Sequence, residues 1–334
     1  MKKLREFLQN YLESETLVPN KTRLKPSVPN FARYLISILL LPLLFFTACE
    51  KRNEVNYLFY QPLLKDKIEW KRVLPTMHSF GMKILILQWS RYDVVDFMKH
   101  KGWLEEILKE AKFQNIRVVV GLYGDNKYFK NIENKRLNLS TYFETLYKVN
   151  IQQAKEVYSV AKSFPNFSGW YFTEEVDDLN FKDKKREEAL KVYFARLSKD
   201  IKKVANKPIY LSGFYGQNSS PKEYAEMLNS VVPKGVHLLL QSGVGAKLVK
   251  LDESKSYMQE FKKSYKGQFT PIVELFTINK KEIVAMEFSM IKKQIEFFRK
   301  NRIGNNIALF SLRYLFTDKL LTAYKNYKKE YAKR

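Results

Sequence analysis

Two carboxylates and a set of aromatic and amide side chains carry most of the chemistry available to this 334-residue chain. Glu175 ends the run Gly169-Trp170-Tyr171-Phe172-Thr173-Glu174, and Glu274 ends the run Pro271-Ile272-Val273. Two carboxyl groups flanking a scissile bond are the working parts of most glycosidic cleavage. Tyr60, Gln61, Gln88, Trp89, Tyr123, Tyr171, Tyr215, Gln241, Arg313 and Tyr314 lie in or at the ends of other short apolar runs. Aromatic faces stack on the C–H patches of sugars, and fixed amides, carboxylates and a guanidinium grip hydroxyls. These residue types therefore suit a polysaccharide or oligosaccharide ligand. The alternative for Glu175 and Glu274 is an ion pair with nearby Lys or Arg, or a simple grip on ligand hydroxyls.

Other constellations are weak. His78, His100 and His237 are too scattered for a metal site, so no metal is expected. Asp177-Asp178 could bind a cation, but such a pair more often starts a helix or bridges to Lys. There is no Gly-rich phosphate loop and no nucleophile elbow, so no cofactor is expected.

The elements that must position these residues alternate along the chain. Strand candidates are Tyr57–Tyr60, Ile84–Trp89, Arg117–Leu122, Gly169–Thr173, Pro208–Ser212, His237–Gln241, Pro271–Leu275 and Ile307–Ser311. Most are continuous apolar runs, as in strands buried on both faces. Trp70, Val73, Leu74, Met77 and Phe80 recur at helical spacing before Gly81, and Trp103, Leu104, Ile107, Leu108 and Ala111 form a second stripe. Thr141 with Glu144, and Ser220-Pro221-Lys222-Glu223, read as capping boxes. Further helices are expected over 184–205, 252–265, 281–301 and 318–333. Eight strand–helix units over residues 55–334 predict an α/β chain folded as a single (β/α)8 TIM barrel, with its site at the C-terminal ends of the strands. An open doubly wound sheet is the runner-up, but Tyr60-Gln61-Pro62-Leu63 lacks the Gly-rich turn of that fold. The aperiodic stretch Asp125 to Leu139 reads as a long loop over the mouth, able to act as a lid.

Residues 34–48 are uncharged and apolar, too short to span a bilayer comfortably, and end at Cys49, the sole cysteine. Phe46-Thr47-Ala48-Cys49 resembles a bacterial lipobox, with Phe46 where Leu is usual. A buried strand or helix that happens to end in Cys is the alternative. The resemblance implies that residues 1–48 are an extension plus signal peptide, that Cys49 is lipidated, and that 49–54 tether the barrel to a membrane. No disulfide within the chain is then possible. Glu50 after the cysteine lacks the Asp retention signal. The exported protein is thus expected at the outer membrane or on the periplasmic side if the cell is Gram-negative. The formal charge is +24, and only seven basic and three acidic groups fall within 1–48. Such a field attracts anionic polymers or headgroups, unless it is Lys-rich bias spread over solvated helix faces. Export and the lack of any recognition motif argue against nucleic acid. A monomer is expected.

The chain resembles a bacterial TIM-barrel family grouped as a domain of unknown function and described as candidate glycoside hydrolases. The resemblance rests on Trp70 with Gly81-Met82-Lys83 and Leu87-Gln88-Trp89-Ser90, on Gly169 through Asp178, and on Ser212-Gly213-Phe214-Tyr215. Leu240-Gln241-Ser242-Gly243-Val244-Gly245, Val273-Glu274-Leu275-Phe276 and Phe310-Ser311-Leu312-Arg313-Tyr314 complete it. It implies a (β/α)8 fold and makes Glu175, rather than Glu174, the matching acid. Ser242 stands where that family commonly has Asp. Positionally, a fourth-strand acid/base and a seventh-strand nucleophile also resemble the large clan of retaining barrel glycosidases, with Glu174 where that clan has Asn. The implied function is a lipoprotein glycoside hydrolase acting on a cell-surface or extracellular polysaccharide. Glu175 would be its general acid/base and Glu274 its nucleophile. The alternative is a carbohydrate-binding or polysaccharide-assembly lipoprotein with a retired site. If Glu175 is the acid, Glu274 is expected to be the like charge that raises it, with Trp89, Tyr171 and Tyr215 excluding water.

Overall fold

Eight parallel strands close into a ring in the computed structural model, which describes residues 54–280 and 282–332. They are β1 (Val55–Tyr60), β2 (Ile84–Leu87), β3 (Arg117–Gly121), β4 (Phe167–Asp177), β5 (Ile209–Phe214), β6 (Val236–Gln241), β7 (Phe269–Glu274) and β8 (Ile307–Phe310). Neighbours pair in chain order, and β1 pairs with β8 to complete the barrel. The helices are α1 (Trp70–Ser79), α2 (Trp103–Phe113), α3 (Leu139–Ala161), α4 (Lys184–Val204), α5 (Pro221–Val231), α6 (Leu251–Ser264), α7 (Phe288–Lys300) and α8 (Asp318–Ala332). The fold is the (β/α)8 barrel that the alternation predicts. The apolar segment, Cys49 and most of the tether lie outside the described residues. Among the described residues, no helix is long and apolar enough to cross a membrane.

Side chains that alternate along each strand divide into two sets. Phe59, Ile86, Val119, Tyr171, Leu239, Ile272 and Ala308 fill the barrel axis. Their neighbours, such as Leu58, Leu85, Val118 and Phe172, pack outward beneath the helices. At the N-terminal ends of the strands, His237 lies against the rings of Tyr57 and Tyr210, and its Nε2 is 2.9 Å from Thr270 Oγ1. Burial pushes this imidazole down to about 4, so it sits neutral in the barrel floor.

The helices follow from their stripes and caps. Asp183 starts α4 by accepting from the amides of Lys185 and Arg186, and Leu190, Phe194, Leu197 and Ile201 are buried at helical spacing. Burying each such side chain stabilises by roughly 1.5–3 kcal/mol, enough for this face alone to dock the helix. The capping box at Ser220 and Glu223 forms as expected. The one expected at Thr141 does not. Asn138 caps α3 with its side chain, Thr141 lies in the first turn, and Glu144 instead pairs with Arg196.

Three features differ from the sequence-based expectation. The helix expected from residue 281 begins at Phe288, because Phe276–Asn279 and Glu282–Ala285 form an antiparallel hairpin after β7. The aperiodic stretch after β3 contains a short helix, Tyr128–Glu133. Arg91–Tyr92, Val95–Asp96 and Tyr123–Gly124 form a small extra sheet beyond β2 and β3. All three lie beyond the C-terminal ends of barrel strands and add material around the mouth.

Candidate active site

The inward rows of the barrel run on into the mouth. Ile86 leads to Gln88, Tyr171 to Thr173 and Glu175, Tyr210 to Ser212 and Phe214, Leu239 to Gln241, and Ala308 to Phe310. These terminal side chains line a cavity of about 180 Å³. Trp89 forms a wall. Its Nε1 donates to Pro62 O at 2.9 Å, and its ring lies 4.6 Å from that of Tyr92. The short helix after β3 brings in Tyr128 and Phe129, the hairpin brings in Phe276 and Ile283, and Arg313 and Tyr314 come from a one-turn helix after β8. Arg313 lies 3.3 Å from Asp66, which also accepts from Tyr60 Oη at 3.1 Å.

The carboxyl groups are held in three different ways. Glu175, half-buried, accepts from Gln241 Nε2 across the mouth, and its backbone carbonyl accepts from Tyr128 Oη at 2.9 Å. Glu174 is buried. Its Oε1 accepts from Asn150 Nδ2 and Tyr193 Oη, both at 2.8 Å, while its Oε2 has no hydrogen-bond partner. Burial raises this carboxyl to about 7. Strict alternation would turn Glu174 away from the cavity. The pairing of β4 with β5, however, jumps from Phe172–Leu211 to Val176–Gly213, a bulge that spans Thr173 to Glu175. Both glutamates therefore line the cavity.

Glu274 is different again. It is fully buried and does not line the cavity. Its oxygens accept from Gly245 N at 2.6 Å, Gly243 N at 3.3 Å and Ser242 Oγ at 3.2 Å. The turn comes this close because residue 245 is glycine: a Cβ there would lie 2.7 Å from Glu274 Cβ and 2.4 Å from Phe276 O. Burial is also the main cause raising Glu274 to about 7, and these hydrogen bonds pull the other way.

Of the residues picked out by sequence, Gln61, Gln88, Trp89, Tyr171, Glu175, Gln241, Arg313 and Tyr314 come together around the cavity. Tyr60, Tyr123, Tyr215 and Glu274 are not among its lining residues. Tyr60 faces outward, its ring edge-on to Trp70. Tyr123 carries the Arg91 guanidinium over its ring, 5.4 Å from the centroid, and its backbone amide donates to Asn150. Tyr215 stacks on Tyr257 of α6. Ser212 and Phe310 were not singled out from sequence, and Glu174 and Asp125, though at strand ends, were not selected as site residues. Alternation from Tyr210 and Ala308 could have found Ser212 and Phe310. Asp125 accepts from Tyr142 Oη at 2.5 Å and from the amide of Lys127 at 2.8 Å.

Asp177 holds the turn that follows it, and Asp178 holds the loop after β5. Asp177 accepts from the amides of Leu179 and Asn180, and Asp178 from those of Gly216, Asn218 and Ser219. Among the described residues, no group of His, Cys, Asp and Glu could hold a metal ion.

Known proteins agree with this architecture. The domain of unknown function DUF4434 matches residues 59–315. The "Uncharacterized protein YbcH" of Escherichia coli (strain K12) is 26% identical over 266 residues, covering 77% of this chain and 89% of that protein. Among solved structures, a candidate alpha-L-fucosidase from Bacteroides thetaiotaomicron superposes with a TM-score of 0.65 at 17% identity, over 89% of this chain and 99% of that one. A GH18 chitinase from Pseudoalteromonas aurantia superposes with a TM-score of 0.52 at 11% identity, over 82% and 99% respectively. At these identities the likeness is one of fold alone, the (β/α)8 barrel.

Proposed function

Because the chain belongs to the DUF4434 family and has a glycoside-hydrolase-like barrel, we propose that it acts as a glycoside hydrolase on a cell-surface or extracellular polysaccharide. The observation that carries this reading is Glu175. It is a half-buried carboxylate at the end of β4, aimed by Gln241 into an aromatic cavity at the barrel mouth. A cavity of about 180 Å³ is smaller than the ~300–1,000 Å³ of sites for drug-sized ligands, which favours a single terminal sugar ring over an extended chain. Trp89 offers the stacking face, and Gln61, Gln88 and Gln241 offer amides for hydroxyls.

In this reading Glu175 protonates the glycosidic oxygen as the bond to C1 breaks. In the retaining form Glu274 attacks C1, water then releases the sugar, and Glu175 takes that water's proton. The two carboxyl groups must then stand about 5–5.5 Å apart in the reacting state. Because Glu274 is enclosed by the Ser242–Ala246 turn, that form requires the turn to swing aside when substrate binds. The same enclosure favours the second reading, a carbohydrate-binding or polysaccharide-assembly protein with no turnover. Cys49 acylation with removal of residues 1–48 completes the proposal, holding the barrel at a membrane on the exported side.

The experiment is a glycan array beside a hydrolysis screen, run with wild type, Glu175→Gln and Glu274→Gln. Turnover abolished by both substitutions supports the retaining hydrolase. Binding unchanged by Glu274→Gln, with no turnover of any bound glycan by wild type, supports the binding protein instead.

A further inference from the structure

The cavity is acidic although the protein is basic, and this bears on which sugar can enter. Asp125, Glu174 and Glu175 line it. Among the described lining residues the cationic side chain is Arg313, and it is engaged by Asp66 at 3.3 Å and by the Gln61 carbonyl at 3.4 Å. Two buried acceptors on lining residues have no hydrogen-bond partner: Oε2 of Glu174, a residue only 2% exposed, and Oε1 of Gln88. Leaving a buried acceptor unmade costs roughly 1–3 kcal/mol, so these atoms call for a ligand that donates. Trp89 and Tyr92, whose rings pack 4.6 Å apart, line the same space, and aromatic rings attract cations.

We infer that the sugar ring taken by this cavity is a hexosamine with a free amino group, and that uronic acids are excluded. The inference rests on the reading of the cavity as a sugar site. An ammonium group brings three donors and a positive charge, where a hydroxyl brings one donor. It supplies the donors that Glu174 and Gln88 lack once their side chains turn toward it, while Glu175 remains near the glycosidic bond. A uronate would bring a further carboxylate beside Asp125, Glu174 and Glu175, with Arg313 engaged by Asp66. Like charges brought together in a partly buried site are what specificity by repulsion uses. The basic exterior can still draw an anionic envelope surface toward the protein, but that attraction stops at the mouth.

The test is calorimetric titration of the full chain, at about neutral pH, with short oligosaccharides of four kinds: glucosamine, N-acetylglucosamine, glucose and glucuronate. The glucosamine series should bind at least about tenfold tighter than the acetylated and glucose series, with no measurable binding of the uronate. The preference should shrink as salt is raised, and it should fall in Glu174→Gln and in Glu175→Gln. If the first variant does not fold, the second carries the comparison. Uronate binding as tight as glucosamine overturns the inference while leaving a sugar site standing, and so does a glucosamine affinity equal to that of the acetylated or glucose series. Binding of none of the four overturns the sugar reading itself, and the inference with it.

Discussion

Replacing Glu274 with Gln should change stability in a way that reverses with pH. The wild-type carboxyl goes from an ordinary 4.5 to about 7 through complete burial. A carboxyl raised in the fold holds its proton more tightly when folded than when unfolded. Its contribution to stability is therefore fully present below about 4.5 and is lost as pH rises through about 7. At ~1.4 kcal/mol per pH unit, the loss amounts to about 3 kcal/mol. Gln cannot ionise, so the variant lacks this loss. At the acid end the variant should be the weaker protein by about 1–2 kcal/mol. Its carbonyl oxygen can replace the Oε2 that accepts from Gly245 N and Ser242 Oγ, but its NH₂ only donates, so Gly243 N loses its acceptor. At mildly alkaline pH the ranking should close or invert. Urea denaturation of wild type and variant across this range measures it, and taking the difference cancels the titration of every other group. A difference that stays constant with pH would refute the claim that Glu274 is a buried, proton-binding group held by the Ser242–Ala246 turn.

Three further outcomes follow from the same geometry. His237, held neutral in the barrel floor at about 4 against an ordinary 6.5, contributes stability that is complete above about 6.5 and is lost as pH falls toward 4. The loss is about 3 kcal/mol, and acid denaturation of His237→Gln should not show it. Gly245→Ala should destabilise by roughly 1–3 kcal/mol in thermal melts, because its methyl would meet Phe276 O and Glu274 Cβ, whereas Gly235→Ala meets no neighbouring atom and pays only for its positive φ. Cys49→Ser should abolish palmitate labelling and move the protein out of the membrane fraction without changing its melting temperature. A variant that remains fully membrane-bound would indicate residues 34–48 as the anchor instead.

The barrel was legible because buried parallel strands read as uninterrupted apolar runs such as Ile84–Leu87, and because helices such as α5 carry their own start signals at Ser220 and Glu223. The mouth was less legible. Gln88, Trp89, Glu175 and Gln241 fall where strand ends must place polar side chains, so type and position sufficed. Alternation along a strand would turn Glu174 away from the mouth, and the mismatch in register between β4 and β5 turns it inward. No sequence pattern announces that bulge. Glu274 has the position of a site residue but is taken up by a glycine turn 29 residues earlier in the chain. Tyr60 and Tyr215 were grouped with the site by residue type, whereas Trp70 and Tyr257 claim their rings. The hairpin after β7 was concealed by Glu282–Ala285, which continues into the amphipathic stripe of α7 without a break in composition.

The central claim is that Glu175 meets the glycosidic oxygen of a sugar held in this cavity. A crystal structure of Glu175→Gln with the tightest-binding glycan from the array tests it most directly. The substitution keeps the shape of the side chain and removes the proton donor, so substrate should remain intact. The account predicts the terminal ring against Trp89, with its glycosidic oxygen about 2.6–3.2 Å from the side-chain amide at position 175. A glycan bound elsewhere on the barrel, or one seated in the cavity with its glycosidic oxygen out of reach of position 175, would contradict it.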